Sequence, residues 1–141
     1  MHNRLTRLCP SLQQDLIDHR DILILSLFSE GRTINIMNIY SDDQYTAINI
    51  LTECAPTLPI CVLMTGNFNC HSHEWDPLVP HYQMTAISLL DSAAKLGLEV
   101  TLPVSPRPTF LSHNVELQGS VIDLVFIKAS ESLVQLEQYA E

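Results

Sequence analysis

The sequence predicts a layered α/β sandwich. Three observations carry that reading: apolar runs of strand character alternate with segments of helical periodicity, two strand-like runs abut across a short turn, and no internal repeat or low-complexity tract interrupts the pattern. The 141 residues suit one ordinary domain, and 46% apolar content with a mean hydropathy of +0.13 supplies a core without metal or disulfide staples.

Residues 5–18 carry a weak helical pattern broken by Pro10, so a short helix is expected from about Ser11. Residues 1–20 then read as a weakly helical N-terminal segment ahead of a domain at 21–141. Residues 22–28 (ILILSLF) form a continuous apolar run, residues 29–32 a turn, and residues 33–39 alternate polar with apolar, which predicts a β-hairpin. Ser41, Asp42 and Asp43 offer side-chain oxygens to the free N–H groups of a helix start. Ala47, Ile50, Leu51 and Cys54 follow at one-face spacing until Pro56 and Pro59 end the helix. Residues 60–65 (ICVLMT) suit a central strand buried on both faces. Gly66 opens a long loop to about His81 that holds three His, Trp75, Pro77 and Pro80, and long loops inside compact domains are usually functional. Ala86, Leu89, Leu90, Ala93 and Leu96 trace a second helix closed by Gly97. Residues 98–102, 108–111 and 121–127 read as strands, and a last amphipathic helix turns Leu133, Leu136 and Ala140 inward.

Sixteen acidic residues against seven Lys plus Arg leave a net charge of −9 and a pI near 4.9. No Lys or Arg lies between Arg32 and Lys95, while Asp42, Asp43, Glu53, Glu74, Asp76 and Asp91 do. Nucleic acid would meet net repulsion there unless a cation intervened, which disfavours a basic phosphate-tracking groove. Cys9, Cys54, Cys61 and Cys70 form no CxxC pair, and with neither a signal-peptide pattern nor an Asn-x-Ser/Thr acceptor they are expected to be reduced thiols in an intracellular setting. The longest apolar run falls far short of the roughly 20 residues that cross a bilayer. Dinucleotide and P-loop motifs are absent, because the four glycines are isolated.

Three groups of residues have chemical potential. Gly66-Asn67-Phe68-Asn69 places two amides at the carboxyl end of the expected central strand, where open α/β sheets tend to bind ligands; the plainer use of such a segment is a turn in which the amides bond their own backbone. His71 and His73, with Cys70, Asp76 and His81 nearby, are ligand types that zinc accepts, which keeps a zinc-binding module open against a solvent-facing polar loop. Cys70 beside His71 lacks a visible orienting group, which favours a structural thiol. Asp123 interrupts an apolar strand, and a buried carboxylate needs a hydrogen-bond partner or a cation, whereas a solvent-facing one needs neither.

In order along the chain, Asn38-Ile-Tyr40, Thr65-Gly-Asn-Phe-Asn69 with His71-Ser-His-Glu-Trp-Asp-Pro77, Pro108-Thr-Phe110 and Ser120-Val-Ile-Asp-Leu-Val-Phe126 resemble the endonuclease/exonuclease/phosphatase superfamily. The likeness is strongest to the branch found in non-LTR retrotransposon endonucleases and covers about residues 21–127. It implies a two-sheet α/β sandwich of the DNase I-like type that hydrolyses phosphodiesters in nucleic acid with a divalent metal, usually magnesium. By the same resemblance, Tyr40 matches the tyrosine touching the scissile phosphate, Asn69 the asparagine that helps hold it, and Asp123 the aspartate that orients a terminal histidine.

Asn67 falls where the family has the aspartate that positions and deprotonates water. An amide cannot accept that proton near neutral pH, and losing a general base costs about 10²- to 10⁴-fold in rate. The family's metal-binding Asn and Glu would precede the matched region and its closing Ser-Asp-His would follow it. The expected copy is therefore incomplete at both ends, with weak or no activity and poor magnesium affinity unless Asp42, Asp43 or Asp76 substitutes. The rival expectation is a noncatalytic remnant whose uncovered apolar sheet packs on a protein partner.

Overall fold

The computed structural model describes residues 9–76, 83–101, 108–110 and 121–129. The elements in chain order are β1 (Ser11–Leu12), β2 (Ile22–Ser29), β3 (Arg32–Tyr40), α1 (Thr46–Cys54), a 3₁₀ turn (Ala55–Thr57), β4 (Leu63–Asn67), α2 (Met84–Lys95), β5 (Leu98–Val100) and β6 (Asp123–Lys128). The strands form one six-stranded sheet in the order β1-β2-β3-β4-β6-β5. β3 and β4 run parallel and every other neighbouring pair is antiparallel. The crossover between the parallel strands is α1, the kind of connection parallel strands require.

The expected hairpin is β2–β3, turned by Glu30 and Gly31 at φ 49 and 75, the pair of left-handed residues that a tight hairpin turn uses. Alternation in β3 changes phase where Ile36 and Met37 follow one another. The core side takes Met37 and Ile39, which carries Asn35 inward as well. Its register partner is Ser26, whose Oγ donates to Asn35 Oδ1 at 2.6 Å, while Asn35 Nδ2 donates to the Ile60 carbonyl at 3.1 Å. The inward polar residues therefore satisfy one another.

Both helices lie over this inward face. Ile22, Ile24, Met37, Ile39, Met64, Leu124 and Phe126 from the sheet share a core with Ile48 and Leu51 of α1 and Leu89 and Ala93 of α2. The Phe68 and Phe126 rings meet edge to face at 5.4 Å. α1 is turned slightly from the expected face, with Ile48 at its buried centre and Ile50 and Cys54 at the margin. Asp42 Oδ1 accepts from the N–H of Gln44 and of Thr46, the first residue of α1. Where α2 crosses α1, Ser92 Oγ donates to Thr52 Oγ1 at 3.3 Å. The opposite sheet face exposes Leu23, Tyr40 and Val125, and the second sheet of the expected sandwich has no counterpart among the described residues.

Two expectations are corrected. Instead of a helix from Ser11, the chain adds the two-residue strand β1 to the edge of β2, and Gln13 N–H donates to the Ile24 carbonyl at 2.9 Å. A few weakly periodic residues after Pro10 are too short to repay helix nucleation, whereas an open strand edge offers ready partners. The central strand begins at Leu63 rather than Ile60, and Ile60 is 66% exposed. Residues 60–62 meet β3 through Asn35, whose carbonyl accepts from Val62 N–H at 3.0 Å. The expected last helix with Leu133, Leu136 and Ala140 lies outside the described residues, as do Leu111, Pro77, Pro80 and His81. Among the described residues no helix is long and apolar enough to cross a membrane.

Candidate active site

The ladder brings Tyr40, Asn67 and Asp123 into one row. Tyr40 is the register partner of Asn67 across β3–β4, and Asn67 that of Asp123 across β4–β6. Three residues spread over 84 positions of sequence thus stand side by side at the ends of adjacent strands. The Asn67 carbonyl points to the β3 side, where it accepts from Ser41 N–H at 2.7 Å. The Asp123 N–H points the other way and donates to Thr109 Oγ1 at 3.1 Å. Asn67 and Asp123 therefore form a non-hydrogen-bonded antiparallel pair, the kind with Cα atoms about 4.5 Å apart and side chains closest.

Gly66 makes the close approach of β3 and β4 possible. Its φ is +149, and a Cβ there would lie 2.8 Å from the carbonyl carbon of Ile39 and 2.9 Å from its nitrogen. Only glycine fits that backbone against its neighbour, and this is what seats Asn67 beside Tyr40.

The row opens onto a shallow depression of about 370 Å³ lined by Asn38, Tyr40, Thr65, Asn67, Asp123 and Val125. Tyr40 and Asp123 are exposed. Among the described residues, Asn67 Oδ1 is the one buried side-chain oxygen or nitrogen that finds no hydrogen-bond partner. Asn38 Nδ2 donates to the Thr65 carbonyl at 3.2 Å. Asn69, left-handed at φ 53, lies two residues beyond β4, and its Nδ2 donates to the Ser41 carbonyl at 3.2 Å. That bond and Ser41 N–H to Asn67 tie the exits of β3 and β4 together, so the structure gives Asn69 a bracing bond as well as a place beside the row.

The described part of the chemistry-rich loop packs inward. Cys70, Ser72, Trp75 and Asp76 are all buried. Trp75 Nε1 donates to the Cys70 carbonyl at 3.3 Å, and Ser72 Oγ accepts from Glu74 N–H at 3.1 Å. Burial pushes the Cys70 thiol up to about 12 and that of Cys61 to about 11, so neither supplies a thiolate nucleophile at neutral pH. His71 N–H donates to Gln83 Oε1 at 3.0 Å, and His73 is exposed. No group of three or more His, Cys, Asp or Glu among the described residues could hold a metal ion. Asp42 is engaged at the start of α1, and Asp76 Oδ2 accepts from Val121 N–H at 3.3 Å.

Ser41, read from the sequence as a helix-start residue, and Asp76, read as a candidate metal ligand, instead join Thr109 in holding the backbone around the row. Thr109 lies in the quoted Pro-Thr-Phe segment, but nothing local in the sequence says that its hydroxyl reaches β6.

The fold is that of the DNase I-like endonuclease domains. The endonuclease domain of TRAS1, a telomere-specific non-LTR retrotransposon, superposes with a TM-score of 0.66 at 16% identity, covering 87% of this chain and 57% of that one. The family described as endonuclease-reverse transcriptase matches residues 34–141, and the chain belongs to that family, within the endonuclease/exonuclease/phosphatase superfamily. The chain thus spans a little over half of the TRAS1 domain. Looser overlaps occur with a doubly substituted Staphylococcus aureus beta toxin with bound magnesium ions, at TM-score 0.46 and 10% identity over 77% of this chain and 42% of that one. SmcL overlaps at TM-score 0.41 and 12% identity over the same shares, 77% and 42%. No curated protein sequence matches the chain.

Proposed function

We propose that the row Tyr40–Asn67–Asp123, with Asn69 beside it, is a phosphodiester-facing site for nucleic acid, and that this chain by itself hydrolyses its ligand weakly or not at all. The observation that carries the reading is the cross-strand register that sets three family-matched residues side by side. A tyrosine hydroxyl and two side-chain amides offer uncharged donors to a phosphate, and Asp123 provides the row's one carboxylate.

Asn67 is the reason for weak turnover, since its amide does not take a proton from water near neutral pH. The family's usual magnesium does not fit the described donors. The row offers one carboxylate and one amide oxygen, and no larger acidic group is assembled among the described residues; hard divalent cations held by proteins are typically bound through carboxylates. No hydrolytic step is therefore assigned to the metal in this chain.

The test is chemical-shift mapping with a short DNA duplex in low salt, with and without magnesium. Shifts centred on Tyr40, Asn67, Asn69 and Asp123 are expected. Binding spread elsewhere on the surface, or none at all, would overturn the reading.

A second reading, a noncatalytic interaction module of the same fold, has its own support. Leu23 and Val125 are 47% and 41% exposed on the sheet face opposite the helices, where a partner could cover apolar surface. A clean monomer by light scattering that binds no apolar dye would count against it.

A further inference from the structure

At the start of β6, three consecutive backbone N–H groups are held by two side chains from elsewhere in the chain. Asp76 Oδ2 accepts from Val121 N–H at 3.3 Å. Thr109 Oγ1 accepts from Ile122 N–H at 2.9 Å and from Asp123 N–H at 3.1 Å. Asp76 itself is 4% exposed.

The place of this clamp matters. The β4–β6 ladder ends at the pair Asn67–Asp123. On its other side, β6 is paired with β5 only from Phe126 to Lys128, with Thr101 N–H reaching the Val125 carbonyl just beyond. Asp123 thus stands on the last rung, with β4 on one flank and, among the described residues, no strand on the other. Thr109 takes the N–H that a neighbouring strand would otherwise accept. Below the rung, Phe68 N–H donates to the Ile122 carbonyl at 2.9 Å, so the segment is gripped from both sides. A free strand end would let Asp123 swing or slip, and a slip of one residue would put its carboxylate on the opposite face.

We propose that Thr109, backed by Asp76, is the positioning residue that holds Asp123 in register opposite Asn67. The assignment rests on reading the row as the phosphodiester site, yet its first readouts need no nucleic acid. Thr109→Val keeps the branched shape and removes the acceptor; Thr109→Ser keeps the hydroxyl.

In the native chain, amide hydrogen exchange should be protected at Ile122 and Asp123. Exchange there as fast as in an unstructured peptide overturns the clamp, even if a variant fails to fold. In Thr109→Val, exchange at those two amides should speed up by about tenfold, the scale of one net hydrogen bond, and Thr109→Ser should restore it. Core amides such as Met37 and Met64 should not change. The positioning role is read from the Asn67 side-chain amide signals. In the native and Thr109→Ser backgrounds, Asp123→Asn should shift these signals; in the Thr109→Val background it should leave them in place. An equal shift in the Thr109→Val background overturns the proposal.

Anisotropy with a short labelled duplex adds the functional arm. Weakening of about tenfold in Thr109→Val, with recovery in Thr109→Ser, supports both readings. If the native chain binds no duplex while the amide readouts behave as described, the clamp stands and the phosphodiester reading falls.

Discussion

Asn67→Asp would set a second carboxylate against Asp123 on the same rung, and its cost follows from the pairing. In a non-hydrogen-bonded antiparallel pair the Cα atoms lie about 4.5 Å apart, which puts two short carboxylates at about 6 Å. At that distance two like charges repel by about 0.7 kcal/mol in a water-like dielectric and about 3 kcal/mol at an effective constant near 20. Asp123 is exposed, so the repulsion should fall toward the lower end, about 1–2 kcal/mol. Burial of the Asn67 side-chain oxygen adds a desolvation cost of the same sign. Both effects disfavour ionisation of the new carboxyl and raise its pKa in the folded chain above the unfolded value of about 3.9. A raised folded value means that the variant keeps its stability below about pH 4 and loses it as pH climbs through the folded value. Urea unfolding of native and variant chains at pH 4 and pH 7 measures this directly. The difference between them should be small at pH 4, reach its full size at pH 7, and shrink in high salt. An equal loss at both pH values, or none at pH 7, would refute the charge argument and with it the closeness of the two side chains.

Gly66→Ala should cost several kcal/mol or prevent folding, because its Cβ would fall 2.8 Å from the Ile39 carbonyl carbon in a conformation that L residues rarely adopt; thermal melting that matches the native chain would contradict the β3–β4 geometry. Thiol labelling of the native chain at pH 8 should modify exposed Cys9 first, half-buried Cys54 more slowly, and leave buried Cys61 and Cys70 unmodified until urea unfolds it. Because burial raises those two thiols from 9.0 to about 11 and about 12, the stability they favour is full below about pH 9 and should fall as pH rises toward 12. Stability that is flat from pH 8 to pH 11 would argue that they are not buried.

The sequence made some of this architecture legible and hid the rest for identifiable reasons. The β2–β3 hairpin and both helices were readable because each is specified locally, by a turn or by one-face periodicity. The start of β4 was not, because residues 60–62 are as apolar as a strand but are held through Asn35, a contact 25 residues away. β1 was misread as helix for a related reason, since its partner is an edge of β2 and not anything in its own segment. Within the site, Tyr40, Asn67, Asn69 and Asp123 were picked out by their motifs. Their row is a property of register, which no single motif contains. Thr109 and Asp76 were invisible as supports because their partners are backbone N–H groups, which carry no side-chain signature in sequence.

The measurement that tests the account most directly is nicking of supercoiled plasmid in magnesium or manganese by the native chain, Asn67→Asp and Asn69→Ala. The account predicts no turnover above background for any of the three, since the amide at position 67 removes the base and the described donors do not assemble a magnesium site that one new carboxylate would complete. Native nicking that disappears in Asn69→Ala would contradict it and establish the chain as a working endonuclease.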